Sequence, residues 1–283
     1  MQKIIPSLWC IENAREMAEF YTSTFPNSSI IGGSKYPTEG LLDFQKDFVG
    51  KDLTLEIKLM SYQLTLINAS DEFKPNVSTS MMVILKDKEQ LSKIYQQLLN
   101  KGTAVMPLGQ YPFCELYGWV ADQYGYSWQL VLGAEEDEER MYPSLSFGGN
   151  VRGKAAEAAK FYMDTFENSE LLFEYKNPQD ENLLQIGEIS LDGQSLALDD
   201  AEEERAETFN EAFSLQVFCK DQDEIDHLWE KLSSNPKAEQ CGWCQDQFGV
   251  AWQVLPAEQE ELMKKPGAFE TMMHQKKIII SEY

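Results

Sequence analysis

The strongest constraint on this chain is that it states its pattern twice. The stretch PSLWCIENAREMAEFYTSTFPNSSI, from Pro6, returns from Pro143 as PSLSFGGNVRGKAAEAAKFYMDTFENSEL. Both contain Pro-Ser-Leu and then Phe-Tyr-x-x-Thr-Phe-x-Asn-Ser, with a short insertion before the second helix. LEIKLMSYQLTLINA pairs with GEISLDGQSLALDDA, aligning Glu56 with Glu188, and MMVILKDKEQLSKIYQQL pairs with LQVFCKDQDEIDHLWEKL. YGWVADQYGYSWQLV pairs with CGWCQDQFGVAWQVL, aligning Trp119 with Trp243. Collinear matches of this kind mark a tandem duplication. The expected organisation is a first domain over 1–133, an acidic linker over 134–141, and a second domain over 142–283 with a C-terminal tail.

Periodicity gives the content of each copy. IIPSLWC reads as a strand, and NAREMAEFYTSTF as a helix with Asn13 as its N-cap and a stripe of Ala14, Met17, Ala18, Phe20, Tyr21 and Phe25. LTLEIKL, the turn MSYQ and LTLI form a hairpin, whose sister turn LDGQS carries Asp-Gly for a tight reversal. SMMVIL is a further strand. KEQLSKIYQQLLNKG is an amphipathic helix with Leu91, Ile94, Tyr95 and Leu98 on one face and Gly102 as its stop. YGWVADQYGYSWQLVL closes as a hairpin. Each copy therefore reads as strand–helix–strands twice, giving an α+β chain of four modules.

Composition removes several functions. With 47 acidic against 24 basic residues and a formal charge of −23, the chain repels phosphate backbones and anionic membranes, so neither nucleic acid nor membrane is an expected partner. The N-terminal stretch has no apolar run of signal-peptide length, and nothing reaches spanning length, so the expected location is cytoplasmic. Five cysteines in a mid-sized chain suit a reducing compartment. Two histidines, His227 and His274, leave almost no material for a catalytic triad or a His-rich zinc site.

Cys241-Gly-Trp-Cys244 invites a redox or zinc reading. The sister copy has Tyr117 and Val120 at those positions, so the thiols lie outside the shared frame of Gly-Trp, Asp-Gln, Gly and Trp-Gln. In a strand, residues three apart face opposite sides, and no second ligand pair is visible. The pair reads as structural.

The Pro-Ser-Leu strand, the helix ending in Phe-Tyr-x-x-x-Phe-Pro-Asn-Ser and the closing CGWCQDQFGVAWQVLP resemble the vicinal oxygen chelate superfamily (glyoxalase I, extradiol dioxygenases, bleomycin-resistance proteins). The match is tightest to its PhnB-like branch, often labelled 3-demethylubiquinone-9 3-methyltransferase. The resemblance implies four βαβββ modules forming two tandem glyoxalase-like domains with cupped mixed sheets. Because PhnB-like chains are usually half this length and dimerise, it also implies a monomeric pseudo-dimer with at most weak self-association. Metal-using relatives place His or Glu at four inward positions. Here these thread onto Pro6, Leu66, Met81 and Gln129, and onto Pro143, Leu198, Leu215 and Gln253, with Ser7, Thr65, Met82 and Trp128 as neighbours should the register shift. Apolar groups and a neutral amide are not ligands for a divalent transition metal, so neither a metal nor another cofactor is expected.

The remaining candidates line the implied cavities. Gln129 and Gln253 either hydrogen-bond a ligand or cap buried backbone groups. Trp119 and Trp243 either stack on a flat ligand or fill the core. Cys10, inward by alternation with Pro6 and Leu8, is a nucleophile or a packing residue, with no base in sequence reach. Glu56 and Glu188 are either general bases in a cavity or residues of a solvated strand face. The tail KKIIISEY reads as an edge strand or partner-docking segment or, more simply, as a C-terminal strand of the fold's own sheet. The expected function is metal-independent binding or sequestration of a small molecule. The competing readings are a glyoxalase-fold enzyme (lyase, dioxygenase or, by label alone, a methyltransferase) and a structural partner whose cavities are filled. Against the label, no glycine-rich loop follows a first strand to cradle an adenosyl cofactor. The differences Trp9/Ser146 and Cys10/Phe147 predict that the two cavities are not equivalent.

Overall fold

A computed structural model describes residues 2–203 and 205–283. The first module comprises β1 (Ile4–Ile11), α1 (Ala14–Thr24), β2 (Ser29–Lys35), β3 (Asp52–Leu59) and β4 (Tyr62–Ala69). The second comprises β5 (Thr79–Leu85), α2 (Lys88–Leu99), β6 (Thr103–Tyr111), β7 (Cys114–Ala121) and β8 (Ser127–Leu132). The third comprises β9 (Arg140–Phe147), α3 (Ala155–Thr165), β10 (Glu170–Asn177), β11 (Asp180–Leu191) and β12 (Gln194–Asp200). The fourth comprises β13 (Phe213–Cys219), α4 (Gln222–Leu232), β14 (Trp243–Gln245) and β15 (Ala251–Pro256), and α5 (Gln259–Leu262) and α6 (Ala268–His274) follow. No helix among the described residues is long and apolar enough to cross a membrane.

The sheets do not follow the sequence repeats. A seven-stranded sheet runs β14-β15-β13-β1-β4-β3-β2, joining the first module to the fourth. An eight-stranded sheet runs β10-β11-β12-β9-β5-β8-β7-β6, joining the second to the third. The seams are antiparallel, β1 on β13 with Pro6 opposite Leu215, and β5 on β9 with Met81 opposite Pro143. Each sheet thus takes a module from both copies, as two chains exchanging modules would.

One face of each sheet is covered by helices, and these faces share a continuous apolar core that includes Leu8, Leu66, Met81, Leu145, Leu198, Leu215, Trp128 and Trp252. The helices enter it as their spacing predicts, α1 burying Ala14, Met17, Ala18 and Tyr21 and α2 burying Leu91, Ile94, Tyr95 and Leu98. The N-cap expectation for Asn13 is corrected, since its side chain makes no capping bond. The Ala14 amide instead donates to Asn68 Oδ1 on β4, and in the sister copy Gly153 and Ala155 donate to Asp200 Oδ1 on β12. A strand supplies the cap because the helix start is pressed against it.

Two buried aspartates tie these layers together. Asp122 accepts from Tyr21 Oη at 2.8 Å, Trp128 Nε1 at 2.9 Å and the amides of Tyr124 and Tyr126. Asp246 accepts from Tyr162 Oη at 2.8 Å, Trp252 Nε1 at 2.9 Å and the amides of Phe248 and Val250. The loop amides are aimed by Gly125 and Gly249, at φ +87° and +86°, a conformation an L side chain rarely adopts. Burial pushes the Asp246 carboxyl up to about 6, opposed by its indole, phenol and amide donors. Tyr21 lies on a helix of the first module and Asp122 in the second, so each latch joins the two sheets.

The tail differs from expectation. KKIIISEY forms no strand. Ile278 is buried, its carbonyl accepts from Gln222 Nε2, and residues 280–282 make a single 3-10 turn. Its backbone groups pair with the side chains of Gln222 on α4 and of Gln275 at the end of α6, which removes the need for a sheet edge.

Two outcomes test this architecture. Expressed separately, residues 1–133 and 142–283 should each lack half of both sheets, giving no stable folded monomer. Co-expression should yield a 1:1 complex by size-exclusion chromatography and mass analysis. Asp246→Ala strands four buried donors and should lower urea-unfolding stability by about 3 kcal/mol, against about 1 kcal/mol for Tyr162→Phe.

Candidate functional site

The uncovered face of each sheet curves into a cup, and its floor is set by the alternation of the strands. Leu8 and Cys10 belong to the helix-side core, so Ile5, Ser7 and Trp9 face the first cup. On β3 the core residues Leu55, Ile57 and Leu59 leave Glu56 on the cup side. The threading onto Pro6, Leu66, Met81, Pro143, Leu198 and Leu215 is therefore corrected by one residue. Those side chains lie on the helix side, and the cup positions are Ser7, Thr65, Gln216 and Gln253 in the first cup and Ser144, Ala197, Met82 and Gln129 in the second. The physical reason is that β1 is buried on both faces, so hydrophobicity along it carries no period-2 signal. Cys10 moves with the correction. It is wholly buried among core residues, away from the cup, and desolvation holds its thiol well above the usual range.

Hydroxyls, neutral amides, a methyl group and a thioether do not fit a divalent transition metal. Among the described residues no three His, Cys, Asp or Glu side chains gather as a metal site. Both histidines sit on helices with a ring nitrogen against a backbone carbonyl, His227 on Thr165 and His274 on Glu270. Cys244 is packed in the core while Cys241 lies half-buried beside the tail, both free. Burial pushes the Cys241 thiol up to about 12, which leaves it unreactive as a thiol.

The second cup is closed by its own side chains. Glu188, 1% exposed, receives Arg140 in a two-pronged pair at 2.6 and 3.1 Å, Ser195 Oγ at 2.7 Å and Tyr142 Oη at 3.1 Å. It is thus a structural counter-ion and not a solvated strand residue. Gln129 donates to Ser80 Oγ at 2.8 Å and accepts from Tyr117 Oη at 2.6 Å. Met82, Tyr142 and Ala197 pack beside them. Trp119 is buried, donates to Ser127 Oγ and carries the Arg205 guanidinium 4.5 Å over its ring. At the mouth, the cleft between Ser146 and Arg205 holds no water-sized space.

The first cup has the same frame and different contents. Thr65 Oγ1 donates to Gln216 Oε1 at 2.8 Å, Gln216 Nε2 to Gln253 Oε1 at 3.2 Å, and Gln253 Nε2 to Ser214 Oγ at 2.8 Å. Both glutamines therefore bond serine hydroxyls on the neighbouring strand and not backbone. Ser7 lies between Thr65 and Ser214 in register. It is 1% exposed, and its hydroxyl has no partner among the described residues. Trp9 and Trp243, both half-buried, meet edge to face at 6.2 Å over the intervening strands, with Phe73 at 5.0 Å from Trp9. Half-buried Glu56 makes no hydrogen bond or ion pair among the described residues, and desolvation followed by Glu260 on α5 raises its carboxyl.

A tail segment covers this cup. Met273 on α6 lies 3.9 Å from Gln45 Nε2, in the loop between β2 and β3, and its carbonyl accepts from Gln240 Nε2 beside β14, the strand at the other end of the sheet. The Cys241 and Gly242 amides donate to Gln275 and Lys276 carbonyls. The segment thus touches the β2–β3 loop and the β14 side of the sheet at once.

Sequence reasoning passed over Ser214, Gln216, Arg140 and Tyr142. The available signal was matched small polar residues, Ser7 with Ser144 and Ser80 with Ser214, inside otherwise apolar strands. Arg140→Met would leave Glu188 buried and unpaired, and should cost about 3–5 kcal/mol in urea unfolding, partly restored by Glu188→Gln in the double variant.

A family model described as 3-demethylubiquinone-9 3-methyltransferase matches residues 2–131 and 139–255. A putative 3-demethylubiquinone-9 3-methyltransferase, PhnB protein, from Bacillus cereus is 30% identical over 47% of this chain and 100% of its own, with a TM-score of 0.42. Glyoxalase I from Zea mays aligns over 95% of both chains at 11% identity with a TM-score of 0.57. At that identity the likeness shows the fold, a glyoxalase-like pair of tandem domains spanning nearly the whole chain. No curated protein matches.

Proposed function

The chain belongs to the 3-demethylubiquinone-9 3-methyltransferase family, and we propose that it binds a small organic molecule, without a metal, in the cup of the seven-stranded sheet. The observation that carries this reading is the difference between two cups built on one frame. In the second, Glu188, Gln129, Tyr142, Ser195, Tyr117 and the Trp119 indole all have partners from the chain, and of the groups named above only the Arg205 guanidinium, stacked over Trp119, keeps a buried nitrogen without one among the described residues. In the first, the half-buried carboxylate of Glu56, near Glu260 of the tail segment, and the buried hydroxyl of Ser7 have none among the described residues. Unpaired polar groups in a covered site cost stability. A ligand that pairs with them offsets that cost, and the aromatic pair Trp9 and Trp243 supplies apolar surface beside them.

Methyl transfer finds little support in the chain. The turn between β1 and α1 is Glu12-Asn13, with no glycine to bring backbone amides close to an adenosyl donor. Metal-assisted lyase or dioxygenase chemistry would need ligands that neither cup carries. The second cup acts as a packed structural element.

Native mass spectrometry of the gently purified protein tests the reading. The expected spectrum is a monomer carrying a small organic adduct. The same molecule, added back, should quench intrinsic fluorescence, and Trp9→Phe or Trp243→Phe should remove at least half of that quenching. Trp119→Phe should leave it unchanged. A divalent-metal increment removed by chelator would overturn the metal-free part of the proposal, and quenching lost only in Trp119→Phe would move the site to the other cup.

A further inference from the structure

The two glutamates at equivalent positions ask for the same partner, and only one has it. Glu188 is neutralised by Arg140 and held by Tyr142 and Ser195. In the first copy these positions are Lys3, Ile5 and Gln63. Lys3 is drawn elsewhere, its ammonium 2.6 Å from Glu224 and 3.1 Å from Asp192. Ile5 has no hydroxyl. The Gln63 backbone pairs with the Gln2 side chain, its amide donating to Gln2 Oε1 and its carbonyl accepting from Gln2 Nε2, and nothing turns its own side chain to Glu56. Glu56 therefore keeps the position of a counter-ion and has lost the ion. The nearest charged group from the covering segment is Glu260, of like sign. Gly32, opposite Glu56 on β2, leaves the carboxylate space that a side chain would fill, since a Cβ there would stand 2.9 Å from Oε2.

The second observation lies on the floor. Glu56, Thr65, Ser7 and Ser214 form one row across β3, β4, β1 and β13. Thr65 is engaged with Gln216, while Ser7, two strands from Glu56, has a buried hydroxyl with no partner. Trp9 is two residues along the same strand. Two strand spacings, about 10 Å, thus separate a free carboxylate from an unpartnered hydroxyl, with the aromatic wall beginning two residues further along the strand that carries the hydroxyl. That span matches an ammonium or guanidinium group carried on a short arm by a flat apolar body.

We propose that the ligand of the first cup is an organic cation, an amine or guanidine bearing an aromatic or flat apolar group, with Glu56 as its counter-ion, the Trp9 and Trp243 pair as its stacking wall and Ser7 as a hydrogen-bond partner. The inference rests on the reading of this cup as the binding site. Charge pairing with a desolvated carboxylate selects the sign of the ligand, and the indoles add attraction for a cation near their faces. The same groups reject a carboxylate of equal shape, because it would face Glu56 and Glu260 with no compensating cation.

Three probes of one shape separate the possibilities: 2-phenylethylammonium, neutral 2-phenylethanol and the phenylacetate anion, titrated against intrinsic fluorescence at physiological salt. The ammonium probe should bind at least tenfold more tightly than the alcohol, and phenylacetate should not bind. Glu56→Gln, which removes a group without partners and should fold normally by circular dichroism, should erase the preference. Glu230→Gln, an exposed carboxylate on α4, should retain it, which separates a local site from the overall field of the acidic chain. Equal binding of ammonium and alcohol, or a preference that survives Glu56→Gln, would overturn the cation assignment and leave the cup as a binding site. Quenching by none of the three, together with no organic adduct in the native mass spectrum, would overturn both.

Discussion

Everything else in this molecule is arranged around two buried carboxylates. Asp122 and Asp246 each collect a phenol from a helix, an indole from the adjacent strand and two amides from their own turn, at nearly identical distances in the two copies. Four donors converge on one charge in a site with little water, where each bond is stronger than at the surface and each missing one is costly. Because the helix and the turn of one latch belong to modules in different sheets, the aspartates fix how the sheets sit and not only how a hairpin closes. This accounts for the shared frame of Asp-Gln, Gly and Trp-Gln. The aspartate anchors, the glycine lets the turn present its amides, the tryptophan donates from the core side, and the following glutamine points the other way into the cup.

On that common scaffold the cups differ through very few positions. Tyr142 against Ile5 and the diversion of Lys3 to Glu224 and Asp192 are enough to turn a satisfied carboxylate into an unpaired one. Trp9 against Ser146 changes the wall, and in the second cup Ser146 is used to hold Asp199 at 2.6 Å. The covering segments differ as well. The bridging tail reaches the first cup alone, whereas Arg205, over Trp119, closes the second.

The repeat, the four modules and the apolar stripes of α1 and α2 were legible in the sequence, because helices with one buried face write a 3.6-residue period. Strands covered on both faces write none, and the inward register therefore slipped by one residue in β1, β4, β5, β9, β12 and β13. It held in β8 and β15, where polar Gln129 and Gln253 mark the cup against Trp128 and Trp252 in the core. Edge strands β2 and β10 were missed because they are mostly exposed and rich in polar residues and glycine. Nothing local encodes the exchange of modules between sheets, since β1 on β13 joins residues separated by most of the chain. The CxxC pair was legible as an ornament of the frame from the sister residues Tyr117 and Val120, but not from strand alternation, because Cys241 sits in a tight turn at φ +44° before β14 and only Cys244 lies in the strand.

Fusion of the repeats gives this divergence its physical meaning. In a symmetric pair of separate chains each cup would draw one module from either copy, and the two would be the same by symmetry. A residue could not serve as a packed ion pair in one and as an open counter-ion in the other. Joining the copies removes that identity while leaving the exchanged sheets intact. The first cup takes Glu56, Ser7 and Trp9 from one repeat and Gln216, Gln253 and Trp243 from the other, so its chemistry depends on both halves of the chain. The second cup is free to be filled, and its buried Arg140–Glu188 pair, surrounded by Tyr142, Ser195 and the Met82 cluster, gives rigidity to the sheet that shares its core with the first.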